Sequence, residues 1–472
     1  MNYELKVDED GIVGLYYIYG YFAIVLLLGF LWVYRSELTY KFEALVLAFY
    51  LMTGNLNDLL TFSIPGVSFF EIQPDRFLLL MFSFLLVRRA FFSNEMVIPK
   101  NAWTMPWFMV MLILYSLFKV IALFSHADTI EFSEVIIKSL HVVNVLVIIY
   151  SLRLIYTPEL IKILGKAILV GAIVTCVVSL IQIGYDPLFV RIGDIRIAYG
   201  DVYRTNGIFN AEYFSSYFLI IASTWALMKI KRDWIKIALV ILYTIGIFLT
   251  FHRMSWALHL LVIVFYILFF ARPQWDKLLL AGTAGLTVLL LVFMVYQRDV
   301  LNSTLVKERV TDKVDSRFGY YNMVFENIGD NPILGYGNQD NEVYYYNMLQ
   351  ITRMRNRASA DTGGIHSGYL SAMFYYGIPA FVFFTLFVLS TITYFGKLFL
   401  KTRNEFFPII FFLALVYGLA NITNSLLFSE YLGSYFAIYL GLGLGARYYE
   451  TTEETNNVST GKIDIHQNLN IA

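Results

Sequence analysis

Long apolar runs separated by short polar links dominate the chain. A helix that crosses the roughly 30 Å hydrocarbon core of a bilayer needs about 20 apolar residues, and such a helix satisfies its backbone hydrogen bonds internally. Runs of this length recur along most of the sequence. The pattern therefore predicts an all-α polytopic membrane protein with about 12–13 transmembrane helices.

Thirteen runs qualify as candidate spans, and two pairs of neighbours are joined by very short turns. The candidates are about 12–34, 43–63, 70–87, 105–124, 134–152, 160–185, 211–229, 235–251, 254–271, 277–297, 367–394, 406–425 and 431–446. The run 70–87 is the weakest candidate, because Asp75 and Arg76 stand near its start.

Basic residues concentrate in alternate links between the candidate spans. Cytoplasmic loops are enriched in Lys and Arg, so these links define the cytoplasmic side. They carry Arg35 and Lys41; Arg88, Arg89 and Lys100; Arg153 and Lys162; Lys229, Lys231, Arg232 and Lys236; Arg272 and Lys277; and Lys397, Lys401 and Arg403. The segment 186–210 and the long segment 298–366, before the third-last span, are then expected to face the periplasm or the cell exterior.

Composition supports an integral membrane protein. The chain is 58% hydrophobic and 15% charged, against roughly 25% charged residues in soluble domains. Lys+Arg and Asp+Glu are both 35, so the net charge gives no indication of a nucleic-acid partner. We expect an N-terminal bundle at 1–185, a core with the two outer loops at 186–446, and a cytoplasmic, disordered tail at 447–472.

The long outer segment contains a short amphipathic pattern and a turn. At helical spacing, one face of residues 316–328 is predicted to bear Phe318, Tyr321, Val324, Phe325 and Ile328. The turn residues of D-N-P-I-L-G-Y-G then end the helix. A segment of this length is too long for a simple connector, and we expect it to fold back over the membrane surface; the alternative is a solvated loop of balanced charge.

Arginines stand where the chain meets the predicted outer membrane surface. Arg253 lies between two apolar runs, Arg204 precedes the seventh span, and Arg317 begins the amphipathic pattern. A planar guanidinium binds phosphate oxygens at two points, so these arginines indicate an anionic substrate. For Arg253, a side chain that merely extends to the interface is an equally ordinary explanation. His252 beside it is interpreted as a bystander.

His366 follows the Gly363-Gly364 pair and stands where the polar segment meets a span. Taken alone it is more often a structural interface histidine than a catalytic one. A helix that starts near it would disfavour the imidazolium form, and a neutral imidazole can accept a proton from a hydroxyl. Its place on the same side as the three arginines favours the catalytic interpretation.

Four stretches together resemble the O-antigen ligase/polymerase family of bacterial membrane glycosyltransferases. They are R-T-N-G-I-F-N (204–210), T-F-H-R-M-S-W (250–256), D-S-R-F-G-Y-Y-N-M-V-F-E-N-I-G-D-N-P-I-L-G-Y-G (315–337) and I-H-S-G-Y-L…Y-Y-G-I-P-A-F (365–381). The second departs from the family's Ser-Arg-Gly turn, with histidine for the serine and methionine for the glycine. In the fourth, serine follows the histidine and proline replaces a later glycine.

The resemblance implies glycan transfer on the outer face of the inner membrane. The donor is a glycan on undecaprenyl diphosphate, and no metal, nucleotide sugar or other cofactor is implied. Carried over by position, Arg253 and Arg317 would bind the diphosphate, with Arg204 as a third contact. His366 would orient or deprotonate the acceptor hydroxyl.

Further candidates for donor or acceptor contacts are Asn210, Arg353, Arg355, Arg357 and Glu430. The acceptor is a glycan lipid, and the spans near 211–297 would shelter the polyprenyl chain among membrane lipids.

The family divides into polymerases, which join lipid-linked repeat units, and ligases, which transfer the glycan to lipid A–core. We favour a polymerase for O-antigen, capsule or exopolysaccharide, because polymerases are the more diverse set and this sequence departs from the pattern at several positions. A chain-length regulator is then a further candidate partner. A flippase or other transporter without catalysis is the rival class; it expects ionisable residues within spans, and Lys119, Lys138 and His141 lie in or near them.

Overall fold

A computed structural model describes most of the apolar part of the chain. The described residues are 11–60, 62–64, 67–72, 74–92, 105–126, 132–191, 196–199, 202–270, 282, 285, 316–337, 365–402, 404–424 and 430–459. The predicted span 277–297 lies almost entirely outside this set, as do 298–315 and 338–364 of the long outer segment.

The described residues form α-helices connected by short links and two small hairpins. The helices are α1 (Gly11–Tyr34), α2 (Lys41–Thr53), α3 (Pro74–Phe92), α4 (Trp107–Ser125), α5 (Phe132–Ile155), α6 (Pro158–Gly184), α7 (Glu212–Lys229), α8 (Asp233–Leu249), α9 (Arg253–Phe270), α10 (Ser316–Asn327), α11 (Gly368–Lys401), α12 (Phe407–Ala420) and α13 (Glu430–Ser459). The antiparallel hairpins pair β1 (Phe62–Ile64) with β2 (Val67–Ile72) and β3 (Ile197–Tyr199) with β4 (Val202–Tyr203).

The fold class predicted from the sequence is confirmed: the chain is an all-α polytopic membrane protein. Within the described residues, six helices are long and apolar enough to span a bilayer. They lie in Tyr16–Tyr34, Trp107–Ser125, Val135–Ile155, Pro158–Gly184, Arg253–Phe270 and Gly368–Lys401. Helices α7, α8 and α12 coincide with other predicted spans. Helix α2 covers only the first half of the predicted span 43–63, because a 3₁₀ helix (Gly54–Leu60) and β1 follow it. The total of thirteen spans stays a prediction.

Three predicted boundaries were wrong. The third span cannot begin at residue 70, because β2 extends to Ile72 and α3 begins at Pro74, where the fixed φ of proline suits a first helical turn. α11 continues to Lys401, seven residues beyond the predicted end at 394. α13 continues to Ser459, so the first part of the tail predicted to be disordered is helical.

The predicted apolar face of α10 was only partly right. Tyr320, Met323 and Val324 are the buried residues of this helix, and they form a small cluster with α11. Phe325, which we placed on the buried face, is 63% exposed. Among the side chains that the structure describes, the stripe is therefore narrower than the aromatic content of the segment suggested, and it packs on α11.

The packing brings segments distant in sequence to one end of the helices. α7 packs against α6, α8, α9 and α12, while α11 packs against α4 and α12. One end of the bundle carries the first residues of α7, α9 and α11, which are Glu212, Arg253 and Gly368. The last residues of α8 and α12, Leu249 and Ala420, lie at the same end. We call this the outer end, since the charge pattern of the loops predicts that it faces away from the cytoplasm.

Candidate functional site

The turn between α8 and α9 places Arg253 at the surface. Thr250, Phe251 and His252 form the whole connection, and Arg253 is the exposed first residue of α9. The backbone N–H of Ser255 donates to the carbonyl of His252 at 3.1 Å, which starts the helix at this point. The guanidinium thus stands where the positive end of the helix dipole also favours an anion.

His252 is bound into the protein and is no bystander. Its Nδ1 lies 2.6 Å from Ser255 Oγ, which in turn lies 2.6 Å from Ser216 Oγ on α7. Its ring meets the ring of Tyr217 edge-on, with centroids 5.7 Å apart. Both serines are fully buried, so the imidazole continues a polar cluster that extends into the bundle.

Arg204 is held by an acidic residue that the sequence analysis did not single out. Its Nη1 donates to Glu212 Oε1 at 2.9 Å, and Arg196 Nη1 lies 3.3 Å from the same oxygen. The Glu212 side chain is only 7% exposed. Arg204 therefore carries a partly neutralised charge.

Two further residues fix the segment that bears Arg204. The side chain of Gln182 accepts from the N–H groups of Asn206 and Gly207 and donates to the carbonyl of Gly207. Arg191 is buried and donates from Nη2 to the carbonyl of Arg204 at 2.7 Å. Burial lowers the pKa of the Arg191 guanidinium, and the nearby carboxylates of Glu212 and Asp186 act in the opposite direction.

His366 immediately precedes the N-cap of α11. Ser367 is that cap, and its hydroxyl accepts from the N–H of Leu370. His366 is half-buried, and its carbonyl accepts from the Tyr321 hydroxyl of α10 at 3.3 Å. The histidine is thus fixed between α10 and the start of α11.

The start of α11 is anchored on the end of α12. The N–H of Gly368 donates to the carbonyls of Asn421 at 2.8 Å and Asn424 at 3.1 Å. A Cβ at position 368 would collide with Oδ1 of Asn421, so only glycine permits this approach. The glycine two residues after His366 therefore determines where the histidine stands.

A kink in α11 provides the docking site for the turn that follows α10. Gly377 has φ 88° and ψ 172°, and Pro379 lacks the N–H that would bond the carbonyl of Tyr375. The N–H groups of Tyr336 and Gly337 donate instead to the carbonyls of Phe374 and Tyr375, at 2.8 and 2.9 Å. The Pro-Ile-Leu-Gly-Tyr-Gly motif thus satisfies the backbone groups that the kink exposes.

One chain of contacts connects the Arg253 turn with the segment of His366. The ring of His252 in this turn contacts the ring of Tyr217, with centroids 5.7 Å apart. The Tyr217 hydroxyl accepts from Asn424 Nδ2 at 3.2 Å, and the carbonyl of Asn424 accepts from Gly368. The Arg204 segment joins the same end, because the N–H of Thr205 donates to the carbonyl of Leu249.

The remaining predicted site residues differ in what the structure shows of them. Arg317 is the second residue of α10, and Glu430 is the first residue of α13, but their side chains lie outside the described part. Asn210 is half-buried, and its Oδ1 has no hydrogen-bond partner among the described residues. Arg353, Arg355, Arg357 and the Gly363-Gly364 pair lie outside the described residues. In the described part, no group of three His, Cys, Asp or Glu residues could hold a metal ion.

Residues 238–385 match the family model of O-antigen ligases. This match supports an assignment of the chain to the O-antigen ligase family. The matched segment runs from α8 to the middle of α11 and contains Arg253, Arg317 and His366. Proteins that this family model describes are glycosyltransferases of the O-antigen ligase or polymerase type. No curated protein matches the chain.

The sequence analysis missed Glu212, Tyr217 and Asn424. Glu212 stands in the first turn of a helix, a usual place for an acid, and nothing in its neighbourhood marks it as the partner of two arginines. Asn424 lies near the end of the predicted span 406–425, in N-I-T-N, a pattern typical of any helix end. The hydrogen bond between Tyr217 and Asn424 becomes visible only once α7 is packed against α12.

Proposed function

We propose that the protein polymerises lipid-linked oligosaccharide repeat units of an O-antigen, capsule or exopolysaccharide. The donor is undecaprenyl-diphosphate-linked glycan, and the reaction takes place at the outer face of the inner membrane. The observation that carries this proposal is the connection, through Tyr217 and Asn424, of the Arg253 turn with the segment of His366. Arg253 and His366 both lie within the segment that matches O-antigen ligases.

The two ends of this connection suit the two halves of the reaction. Arg253, exposed at the start of α9, binds the diphosphate and stabilises the charge that develops as it leaves. Arg317 on α10 is assigned the same role. Arg204 is a third and weaker contact, because Glu212 neutralises part of its charge. Asn210 and Glu430 stay candidates for contacts with the donor or acceptor sugars, as do Arg353, Arg355 and Arg357.

His366 acts on the acceptor. The acceptor hydroxyl oxygen forms a bond to the anomeric carbon of the donor, while the bond from that carbon to the phosphate oxygen breaks. The electron pair of the broken bond leaves with the lipid diphosphate. A neutral imidazole orients the hydroxyl or takes its proton. The backbone of His366 is held by the Tyr321 hydroxyl on one side and by the hydrogen bonds of Gly368 on the other, and this supplies the positioning that such a step requires.

The preference for a polymerase over a ligase rests on the departures of this chain from the family pattern, among them His252 and Met254 in the α8–α9 turn.

The transporter alternative draws on ionisable residues within spans. One of these, Lys119, is buried in α4 with its Nζ 5.5 Å from the ring centroid of Tyr376. A cation held against an aromatic face is stabilised inside the bundle, so this lysine does not by itself favour transport.

The deciding experiment uses the purified protein in lipid nanodiscs with the lipid-linked repeat unit, with and without lipid A–core. A ladder of products without lipid A–core identifies a polymerase, and transfer only in its presence identifies a ligase. Movement of the lipid-linked unit across a bilayer without new glycosidic bonds would identify a transporter. Addition of EDTA should leave the reaction unchanged.

Variants test the assigned residues in the same assay. His366→Ala and Arg253→Ala should each abolish transfer, while the protein still inserts into the membrane. Two matched controls should stay active: His126→Ala, at the C-cap of α4, and Arg232→Ala, an exposed arginine at the opposite end of α8 from Arg253. Normal chain growth by His366→Ala would exclude the catalytic role of this histidine.

A further inference from the structure

The turn that carries Arg253 adopts a conformation that needs support. Phe251 has a φ of 52°, a left-handed backbone that bulky residues rarely adopt. Such strain persists only where the surrounding structure holds it, and it concentrates at functional sites. The support must come from the residues on either side, since the turn has only three residues.

His252 provides several of these supporting contacts. Its backbone N–H donates to Thr250 Oγ1 at 3.4 Å, and its carbonyl accepts from Ser255. Its ring nitrogen adds the 2.6 Å contact to Ser255 Oγ. Its ring also packs near Tyr213, with centroids 6.4 Å apart, as well as against Tyr217. One side chain therefore links the turn to α9 and to α7.

On the other side of Arg253, Trp256 completes the fixation. Its Nε1 donates to the carbonyl of Ile247 at 3.1 Å, and its ring stacks on Phe248 with centroids 4.5 Å apart. The backbone of Arg253 is thus held on both flanks. Its side chain is exposed.

We infer that His252 is a positioning residue, which holds Arg253 against the donor diphosphate and connects it through Tyr217 and Asn424 to the segment of His366. This inference rests on the proposed function. A serine, which the resembling family turn has in place of His252, is too short to bond Ser255 and contact two tyrosine rings at once. The imidazole therefore gives this chain a longer reach from the arginine turn into the bundle.

The test compares four variants with the wild type in the nanodisc polymerisation assay, and uses undecaprenyl diphosphate as an inhibitory probe of the diphosphate site. His252→Ala should lower the rate about 100-fold, the loss expected from a misplacement of about 1 Å at a reacting centre. It should also raise the concentration of undecaprenyl diphosphate that halves the rate. His252→Asn, whose amide can replace Nδ1 in the contact with Ser255, should restore most of the activity and of the affinity.

Tyr217→Phe removes only the hydroxyl that accepts from Asn424, and it should reduce the rate with little change in the affinity for undecaprenyl diphosphate. His126→Asn is the matched control and should behave as the wild type. A merely structural role of His252 would reduce the amount of folded protein and leave the affinity for the probe unchanged.

Wild-type affinity and rate in His252→Ala would overturn the inference, as would an inactive His252→Asn that is folded by its thermal melting. If His252→Ala does not fold, wild-type behaviour of both His252→Asn and Tyr217→Phe in rate would overturn it. Failure of the wild type itself to extend the glycan would instead refute the proposed function, so the two failures are distinguishable.

Discussion

Replacing Gly377 with alanine should release the turn 332–337 from the kink of α11. The backbone at this position has φ 88° and ψ 172°, a region that is populated almost only by glycine and costs other residues about 1–3 kcal/mol. The added Cβ would also collide with the carbonyl oxygen of Ile333, and such overpacking costs typically about 1–3 kcal/mol. We take about 3 kcal/mol for the sum of the two.

Hydrogen exchange of the docked amides measures this loss directly. The N–H groups of Tyr336 and Gly337 are bonded to carbonyls of α11, so they exchange only when the turn undocks. Since about 1.4 kcal/mol corresponds to a factor of ten, a loss of about 3 kcal/mol should accelerate their exchange roughly 100-fold. Mass spectrometry of peptides that cover 329–340 would report this on the protein in nanodiscs.

Two comparisons make the measurement decisive. Gly329→Ala is the control, because a Cβ there meets nothing within 4 Å. Gly335→Ala disrupts the same contact from the side of the turn, because Gly335 has φ 63° and an added Cβ would collide with the carbonyl of Phe374. The double variant should lose less docking free energy than the sum of the two single losses. Wild-type exchange in Gly377→Ala, or equal acceleration in Gly329→Ala, would refute the docking argument.

Two further predictions concern the outer end. Glu212→Gln should lower the free energy of unfolding by about 1–3 kcal/mol, because the nearly buried contact with Arg204 loses its charge. Denaturant unfolding in detergent measures this loss. As the control, Glu159→Gln removes the charge from an exposed pair with Lys162 and should change the free energy of unfolding little. Gly368→Ala should reduce glycan transfer about 100-fold by displacing the start of α11 and with it His366, whereas Gly184→Ala, with no neighbour within 4 Å of the added Cβ, should leave the rate unchanged. An active Gly368→Ala variant would show that the approach to Asn421 does not position the histidine.

The apolar runs predicted the helices well because burial in lipid depends on residues that are adjacent in sequence. α1, α4, α6, α9 and α11 begin within two residues of their predicted starts. The errors arose where the local signal was ambiguous. β1 and β2 are as apolar as a helix, and α13 loses its hydropathy before it loses its helical backbone.

The residues of the candidate site could be found one at a time. Arg253 was conspicuous because an arginine between two apolar runs is costly there, and His366 because a polar segment ends at it. The short N-P-I-L-G-Y-G motif was interpretable as a turn. Its partner was not, since nothing in the sequence states that the backbone groups freed by Pro379 receive its N–H groups.

The sequence by itself determined the membrane class, the approximate helices, the family resemblance and the candidate arginines and histidine. The tertiary structure decided that Glu212 holds Arg204, that His252 supports the Arg253 turn, and that Tyr217 and Asn424 join this turn to the start of α11. The physical reason is the separation along the chain over which each interaction acts. Hydropathy and turn chemistry act between neighbours in the chain, whereas the contact between Tyr217 and Asn424 joins residues 207 positions apart and exists only because α7 and α12 pack side by side.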